Sequence, residues 1–511
     1  MSTTSRTSKS IKNSTIALIV NVFSLILNFF SRKIFLEYLG VELLGLNTTS
    51  MNILQFLNLA ELGIGSAISF TLYKPLLENS KQSISEIISL QGNIYKRIGI
   101  IVILGSAIIM LFFPIIFEKI TLPLWYAYAS FSVFLFSALL GYFINYKQII
   151  LTADQKDYEI QYCYRCVMIV KVITQMISMI YLNHPYIWWL VLEVIFSIIS
   201  AIILNVRIYK HYPYLAKQNQ YSFKTLRFKY NDIIVKVKQV FFHKIAAFVL
   251  LQSSPLVIYA ISDLKEVALY GNYLIITNGL MVVTNSIFNG MNSGVGNLIA
   301  EGDKSKIINV FFELYSVRFV VALVLSYALF SCSNWFVTNW IGSEFILPPL
   351  TVLLITIILC INIFRTTVDS FLYGYGLYND IWAPIAEAIL NLSFSILLGL
   401  KYGLNGVLLG VITSLAIIIG IWKPYFLFKS GIKYSLKQYW KEFFKIIFIA
   451  FLGIIFISFL TSKIECWDNT NILILISKTI LFTITILGLL IIVKDKGIES
   501  FIKRMKYIIT K

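Results

Sequence analysis

Long uninterrupted apolar stretches constrain this chain more than any other feature of its sequence. Each is about 20 residues long, the length that an α-helix needs to cross the ~30 Å hydrocarbon core of a bilayer. Of the 511 residues, 58% are hydrophobic and only 13% are charged, whereas soluble domains have about 25% charged residues. The strands of a membrane β-barrel would alternate polar and apolar residues, and these stretches do not. The sequence therefore predicts an all-α polytopic membrane protein.

Fourteen apolar segments can be delimited, and they predict about fourteen transmembrane helices. The first resembles a signal peptide, but Ser31-Arg32-Lys33 follows it where a cleavage site would have small residues, so we interpret it as an uncleaved helix. The segments are residues 14–38, 43–72, 97–117, 122–146, 160–182, 186–206, 239–260, 268–291, 310–333, 346–371, 382–400, 404–428, 442–461 and 471–493.

Lysine and arginine are distributed unevenly among the connections between these segments. With the N-terminus in the cytoplasm, 29 of them lie in inside connections, 4 in outside connections and 10 within the apolar segments. Cytoplasmic loops of membrane proteins show such an excess, so we predict that both termini are cytoplasmic. The same bias explains most of the net charge of +18 without a nucleic-acid partner.

The first two segments form an unusual hairpin between Val22 and Leu76. Ser31-Arg32-Lys33 interrupts the first segment, a tight turn is predicted at Leu39-Gly40-Val41, and the second segment contains Glu61 and several amides. Charges and amides are costly in hydrocarbon and normally face a bundle interior or an aqueous cavity. The hairpin therefore predicts helices arranged around such a cavity.

Cations outnumber acids within the apolar segments. Each charge costs about 2.5–3.5 kcal/mol at the centre of a membrane helix, so an excess of one sign requires a compensating charge. We therefore expect a cavity of net positive charge that receives an anionic ligand. The ten cations are Arg32, Lys33, Arg165, Lys171, Lys244, Arg318, Arg365, Lys423, Lys445 and Lys478, and the four acids are Glu61, Glu193, Asp369 and Glu387.

The depth of each cation in its segment predicts whether its side chain faces the cavity or the headgroups. We expect four deep cations without an obvious partner on their own helix to face the cavity, and these are Arg32, Lys171, Lys244 and Arg318. Three others lie near predicted cytoplasmic helix ends, where their side chains can extend to the headgroups: Arg165, Lys423 and Lys445.

Two acids leave alternatives open. Arg365 and Asp369 are four residues apart and share a helix face, so they are either residues of the cavity or a structural ion pair. Glu61 either neutralises a cation or takes up a proton. No metal-ligand or catalytic motif is present, and the glycines Gly399, Gly403, Gly406 and Gly410 predict close helix packing.

Several motifs along the chain match a known family. They include Glu61-Leu62-Gly63-Ile64-Gly65-Ser66-Ala67, Tyr73-Lys74-Pro75-Leu76, His243-Lys244-Ile245, Tyr270-Gly271-Asn272-Tyr273, Trp382-Ala383-Pro384-Ile385-Ala386-Glu387 and Trp422-Lys423-Pro424-Tyr425. In combination, and over nearly the whole chain, they resemble the bacterial polysaccharide repeat-unit flippases. These are the Wzx-type O-antigen and capsule translocases of the multidrug/oligosaccharidyl-lipid/polysaccharide (MOP) superfamily. One departure is Ser253-Ser254-Pro255, where many relatives have an acid, so a coupling role of that acid does not transfer to this chain.

The resemblance implies two six-helix lobes around a central cavity, followed by two additional helices. We accordingly predict an N-terminal lobe over 1–210, a basic cytoplasmic linker over 211–238, a C-terminal lobe over 239–430, and two further helices with a cytoplasmic tail over 431–511. It also implies a location in the bacterial cytoplasmic membrane. The substrate would be an undecaprenyl-diphosphate-linked oligosaccharide, moved from the inner to the outer leaflet by alternating access.

We therefore expect a flippase for O-antigen, capsule or exopolysaccharide assembly, and not an enzyme. Its cavity cations would hold the diphosphate, and we predict this role for Arg32, Lys171, Lys244, Arg318 and Arg365. Glu61 and Asp369 are the candidate coupling or neutralising acids, with a proton gradient, a sodium gradient or the membrane potential as alternative energy sources. No cofactor or metal is expected, and the partners are the lipid bilayer and a polysaccharide polymerase with its chain-length machinery.

Two other functions remain alternatives at this point. A drug or cation exporter of the same superfamily would be expected to have acids in its cavity, and the excess of cations does not favour it. A polytopic polysaccharide polymerase would also be basic, but it usually needs a substantial loop with catalytic carboxylates. The connection from Arg207 to Lys238 has a single acid, Asp232.

Overall fold

The protein is almost entirely helical over the residues that its structure, a computed structural model, describes. These are residues 3–58, 64–154, 156–216, 222–230, 253–377, 380, 382–463 and 471–509, and no β-strand occurs in them. They divide into two compact units, Met1–Ala268 and Leu269–Lys511. The prediction of an all-α polytopic membrane protein is confirmed.

The first unit is built from long helices joined by short ones. The long helices are α1 (Thr3–Leu57), α2 (Ile64–Leu77), α3 (Lys81–Leu111), α4 (Trp125–Phe143), α5 (Asp157–Tyr181) and α6 (Pro185–His211), and the shorter α7 is Phe223–Lys229. The main packing pairs are α1 with α4 and α5, α4 with α6, and α5 with α6. Short helical turns follow α3, α4 and α6, at Phe113–Ile116, 145–153 and Pro213–Ala216.

The remaining helices lie mainly in the second unit. They are α8 (Leu264–Glu301), α9 (Lys304–Trp340), α10 (Pro349–Gly374), α11 (Trp382–Leu415), α12 (Leu436–Lys463), α13 (Ile472–Ile492) and α14 (Lys496–Ile509). Within the second unit α9 packs against α10, α13 and α14, and α12 packs against α13. The helix α11 continues to Ile432 through two π-helical stretches and a single α-helical turn at Lys423–Phe426.

Ten helices of the described chain are long and apolar enough to cross a membrane. One of them, Trp382–Ile432, covers two of the predicted segments, 382–400 and 404–428. Within the predicted segment 43–72, α1 ends at Leu57 and α2 begins at Ile64, and residues 59–63 lie outside the described residues. Most of the predicted segment 239–260 lies outside the described residues.

Two glycines make the turns that the hairpins require. Gly40 has φ 82° inside α1, which confirms the predicted turn at Leu39-Gly40-Val41, and Gly403 has φ 59° inside α11. Only glycine adopts such left-handed values at little cost. Beyond the second turn, a Cβ on Gly406 would lie 2.0 Å from the carbonyl oxygen of Leu398. The backbones of this hairpin are therefore in direct contact, as the sequence predicted for this glycine.

Candidate functional site

Four charged side chains meet in the second unit, on α10, α11 and the turn that follows α11. The carboxylate of Asp369 accepts hydrogen bonds from Arg365 Nε at 3.0 Å and from Lys423 Nζ at 3.0 Å. Arg365 Nη1 also lies 4.0 Å from Glu387 Oε1. Arg365 keeps 26% of its side-chain surface exposed, whereas the side chain of Glu387 is buried. Arg365 and Asp369 thus form an ion pair, and Arg365 still reaches an open surface.

The side chain of Lys423 points in a different direction from the one expected from the sequence. It lies at a predicted cytoplasmic helix end and was expected to extend towards the headgroups. Its ammonium is instead directed to Asp369, and only 14% of its side chain is exposed. A carboxylate at contact distance compensates a buried ammonium better than a distant headgroup, because electrostatic attraction increases as the separation and the local dielectric constant fall.

Arg318 lies beside this cluster on α9. Its side chain is fully buried, at 0% exposure, and its Nη1 donates hydrogen bonds to Thr366 Oγ1 and Ser370 Oγ, both at 3.2 Å. Its guanidinium carbon lies 4.8 Å from the centre of the Phe288 ring. On α10, Thr366 directly follows Arg365, and Ser370 directly follows Asp369. These hydrogen bonds therefore place Arg318 next to Arg365 and Asp369.

Cations outnumber carboxylates in this group, within the part of the chain that the structure describes. Among the described residues it contains three cations, Arg318, Arg365 and Lys423, and two carboxylates, Asp369 and Glu387. Charges removed from water are stable only when they are paired and hydrogen-bonded. An anion at the exposed side of Arg365 would therefore complete the electrostatic balance of this cluster. A guanidinium suits a phosphate oxygen pair, because its planar fork can donate two parallel hydrogen bonds.

The first unit contains a second charged group, between α5 and α6. Lys171 Nζ lies 2.8 Å from Glu193 Oε1, and Gln175 Nε2 donates to Glu193 Oε2 at 3.1 Å. The sequence shows no obvious partner for Lys171 on its own helix, and the structure pairs it with a residue of the neighbouring helix. The sequence contained the two charges and gave no indication that they meet, because they lie on separate apolar helices.

Lys171 also lines a cavity of about 580 Å³ within the first unit. Arg165, which was expected to extend to the headgroups, lines the same cavity together with polar groups of Asn58 and Asn145. Asn58 Oδ1 accepts a hydrogen bond from Tyr142 Oη at 3.0 Å. The cavity therefore combines two cations with amide and hydroxyl groups, a lining suited to both phosphate and sugar.

The other predicted site residues are placed differently. Arg32 on α1 is partly buried, and its Nη2 donates to the backbone carbonyl of Ala268 at 3.3 Å, within the first unit. Lys244 and Glu61 lie outside the described residues. The role of each predicted site residue in binding thus stays a prediction.

Known structures show which fold this is. The lipid II flippase MurJ, in its inward closed conformation, matches with a TM-score of 0.65 and 17% identity over 92% of this chain and 98% of that one. An inward-facing multidrug resistance MATE family transporter of the MOP superfamily matches with a TM-score of 0.59 and 11% identity, over 81% and 98% of the two chains. The fold is that of MOP-superfamily transporters.

A third structure agrees with this assignment. A mutant of the MATE transporter VcmN from Vibrio cholerae matches with a TM-score of 0.54 and 12% identity, over 84% of this chain and 99% of that one. No protein-family model matches the sequence, and no curated protein sequence does. At these identities the likeness shows the fold, and the function must be inferred from the chain's own residues.

Proposed function

We propose that this chain is a membrane transporter that flips an undecaprenyl-diphosphate-linked oligosaccharide across the bacterial cytoplasmic membrane. The product would serve O-antigen, capsule or exopolysaccharide assembly. The observation on which the proposal rests is the group of cations Arg318, Arg365 and Lys423, which lies with Asp369 and Glu387 as its carboxylates among the described residues. A diphosphate is the part of such a lipid that would offset that surplus.

The MOP fold supports a transporter that alternates between two access states. Its solved examples include a protein named as a lipid II flippase, and lipid II is a lipid-linked saccharide. In the proposed cycle the exposed side of Arg365 binds a phosphate oxygen, and Asp369 fixes the orientation of the guanidinium through its hydrogen bond to Nε. Arg318 would hold α10 in place through Thr366 and Ser370.

Two carboxylates of these charged groups, Asp369 and Glu193, argue against a cationic substrate. Asp369 accepts from two cations, and Glu193 accepts from Lys171 and Gln175, so neither offers a free oxygen to a drug cation. Replacing one of these internal cations by a drug would require breaking a buried pair, which costs about 3–5 kcal/mol. We accordingly assign Asp369 a neutralising role and leave the energy source to experiment.

Lipid movement in proteoliposomes tests this proposal. The purified full-length chain is reconstituted with a fluorescent undecaprenyl-diphosphate oligosaccharide, and the label that becomes accessible to a quencher in the opposite leaflet is followed over time. Vesicles without protein give the background rate, and a membrane-permeant cationic dye is followed in parallel. We expect lipid movement above background without dye efflux. Dye efflux without lipid movement would transfer the assignment to a drug exporter.

A further inference from the structure

The cavity of about 580 Å³ in the first unit has no role in the function proposed above. Its size lies within the range of small-molecule sites in proteins, which is about 300–1,000 Å³. Residues of α4, α5 and α6 line it, together with Asn58 just beyond α1 and Asn145 just beyond α4. Ten of its sixteen described lining residues have polar or charged side chains. Such a lining inside a membrane-spanning unit suits a hydrophilic ligand.

Arg165 is the cation of this cavity whose charge is available to a ligand. Lys171 is already paired, because its Nζ lies 2.8 Å from Glu193 Oε1. The partly buried Arg165 on α5 has no hydrogen-bond or ion-pair partner among the described residues, and none of the described lining residues is a carboxylate. A guanidinium in this position suits the carboxylate of a ligand, because its planar fork can donate two parallel hydrogen bonds.

Neutral polar groups of the same lining are set up to bind hydroxyl groups. Asn205 Nδ2 donates to Asn145 Oδ1 at 2.9 Å, and Asn145 Nδ2 donates to Tyr164 Oη at 3.2 Å, so this amide and this phenol have fixed positions. Ser200 is only 8% exposed, and within the described chain its hydroxyl has no hydrogen-bond partner. A buried hydroxyl without a partner is costly, so a ligand hydroxyl that bonded to Ser200 would be favoured.

We propose that this cavity binds an acidic sugar, a hexuronic acid, with its carboxylate at Arg165 and its hydroxyl groups at the amides and at Ser200. A hexuronic acid has one carboxylate and several hydroxyl groups on a single ring, which matches both parts of the lining. As a residue of the transported oligosaccharide, the sugar rests on the proposed function. The free acid is the other source of the same chemistry, and the two sources are distinguished below.

Binding of free probes tests the site itself. The detergent-purified full-length chain is titrated with glucuronate, glucose and acetate, and Kd is measured by saturation-transfer NMR for the wild type, Arg165→Gln, Arg165→Lys and Arg227→Gln. Arg227 is the matched control, because it is an exposed arginine on α7 of the same unit and does not line the cavity.

We expect the wild type to bind glucuronate more tightly than glucose or acetate, since only glucuronate has both kinds of group. Arg165→Gln should weaken glucuronate binding about tenfold or more, the loss of charge-assisted hydrogen bonds. Arg165→Lys should be intermediate, and Arg227→Gln should bind as the wild type does. If Arg165→Gln binds glucuronate as tightly as the wild type, or if glucose binds as tightly as glucuronate, the proposal is wrong.

A measurement on the wild type does not depend on the folding of a variant. Met168 lines the cavity, whereas Met176 lies about two turns further along α5 and does not line it, and both are partly buried. Glucuronate should slow the oxidation of Met168 to its sulfoxide by hydrogen peroxide severalfold relative to glucose, and leave Met176 unchanged. Equal rates for Met168 in the two sugars would contradict an acidic sugar in this cavity.

Transport of two matched lipids distinguishes the two sources of the acid. Proteoliposomes receive undecaprenyl-diphosphate trisaccharides that differ in one residue, glucuronate or glucose, and the ratio of the acidic to the neutral rate is compared for the wild type, Arg165→Gln and Arg227→Gln. We expect Arg165→Gln to lower this ratio severalfold and Arg227→Gln to keep it. An unchanged ratio for Arg165→Gln, with free glucuronate bound at Arg165, would show that the site takes the free acid and not the transported oligosaccharide. If the wild type moves neither lipid, the proposed function fails, and the binding of free glucuronate still decides the cavity.

Discussion

Replacing Asp369 by asparagine should destabilise the second unit strongly. The carboxylate accepts hydrogen bonds from both Arg365 and Lys423, each at 3.0 Å, and only 14% of its side chain is exposed. Removing one partner of a buried ion pair costs about 3–5 kcal/mol, because a charge is left uncompensated. Because Arg365 keeps some exposure and lies near Glu387, we expect the lower end, about 3 kcal/mol. That corresponds to roughly a hundredfold change in the unfolding equilibrium.

Reversible unfolding of the purified chain in lipid bicelles measures this loss. Glu344→Gln is the control, because it removes a carboxylate from an exposed connection between α9 and α10. The double variant Asp369→Asn with Lys423→Met should be more stable than the sum of the single effects predicts, by about 0.5–3 kcal/mol, since the partners interact directly. If Asp369→Asn stays within ~0.5 kcal/mol of the wild type, the three charges are not coupled and our account of the cluster is wrong.

Three further predictions concern other parts of the chain. Lys171→Met and Glu193→Leu should each lower the free energy of unfolding, and the double variant should lose about 0.5–3 kcal/mol less than their sum, as measured in the same assay. Gly406→Ala should cost about 1–3 kcal/mol or more, because its Cβ would overlap a backbone carbonyl, whereas Gly488→Ala meets nothing within 4 Å and should be neutral in thermal unfolding. Hydrogen bonds from backbone amides in the first turn of α9 hold the pKa of Asp303 below its usual 3.8. Its stabilisation is therefore complete above pH 3.8 and is lost at lower pH, so Asp303→Ala should lower the melting temperature at pH 7 and flatten its dependence on acid.

The parts of the fold that could be predicted from the sequence depend on single residues and short segments. Apolar length identified the helices, and glycine at position 40 identified a turn that its positive φ of 82° requires. The spacing of Arg365 and Asp369 gave an ion pair as one of two alternatives, because residues four apart share a helix face, and the structure contains that pair. Each of these relations lies within one helix or one turn.

The contacts between different helices could not be predicted from the sequence. Lys423 pairs with Asp369 and Lys171 with Glu193, in each case across to a different helical element. A helix that is apolar on all sides has no hydrophobic face that indicates its orientation, so the sequence could not show which charges meet. Lys423 was misplaced because nearness to a helix end does not reveal a neighbouring carboxylate.

The most direct test of the central claim is the rate of lipid movement with Arg365→Gln. Proteoliposomes with equal amounts of folded protein are compared for the wild type, Arg365→Gln, Arg365→Lys and the control Lys437→Gln, with the undecaprenyl-diphosphate oligosaccharide as substrate. Our account predicts that Arg365→Gln slows movement at least about tenfold, that Arg365→Lys is intermediate, and that Lys437→Gln equals the wild type. Wild-type rates in folded Arg365→Gln would contradict a cationic site for the diphosphate.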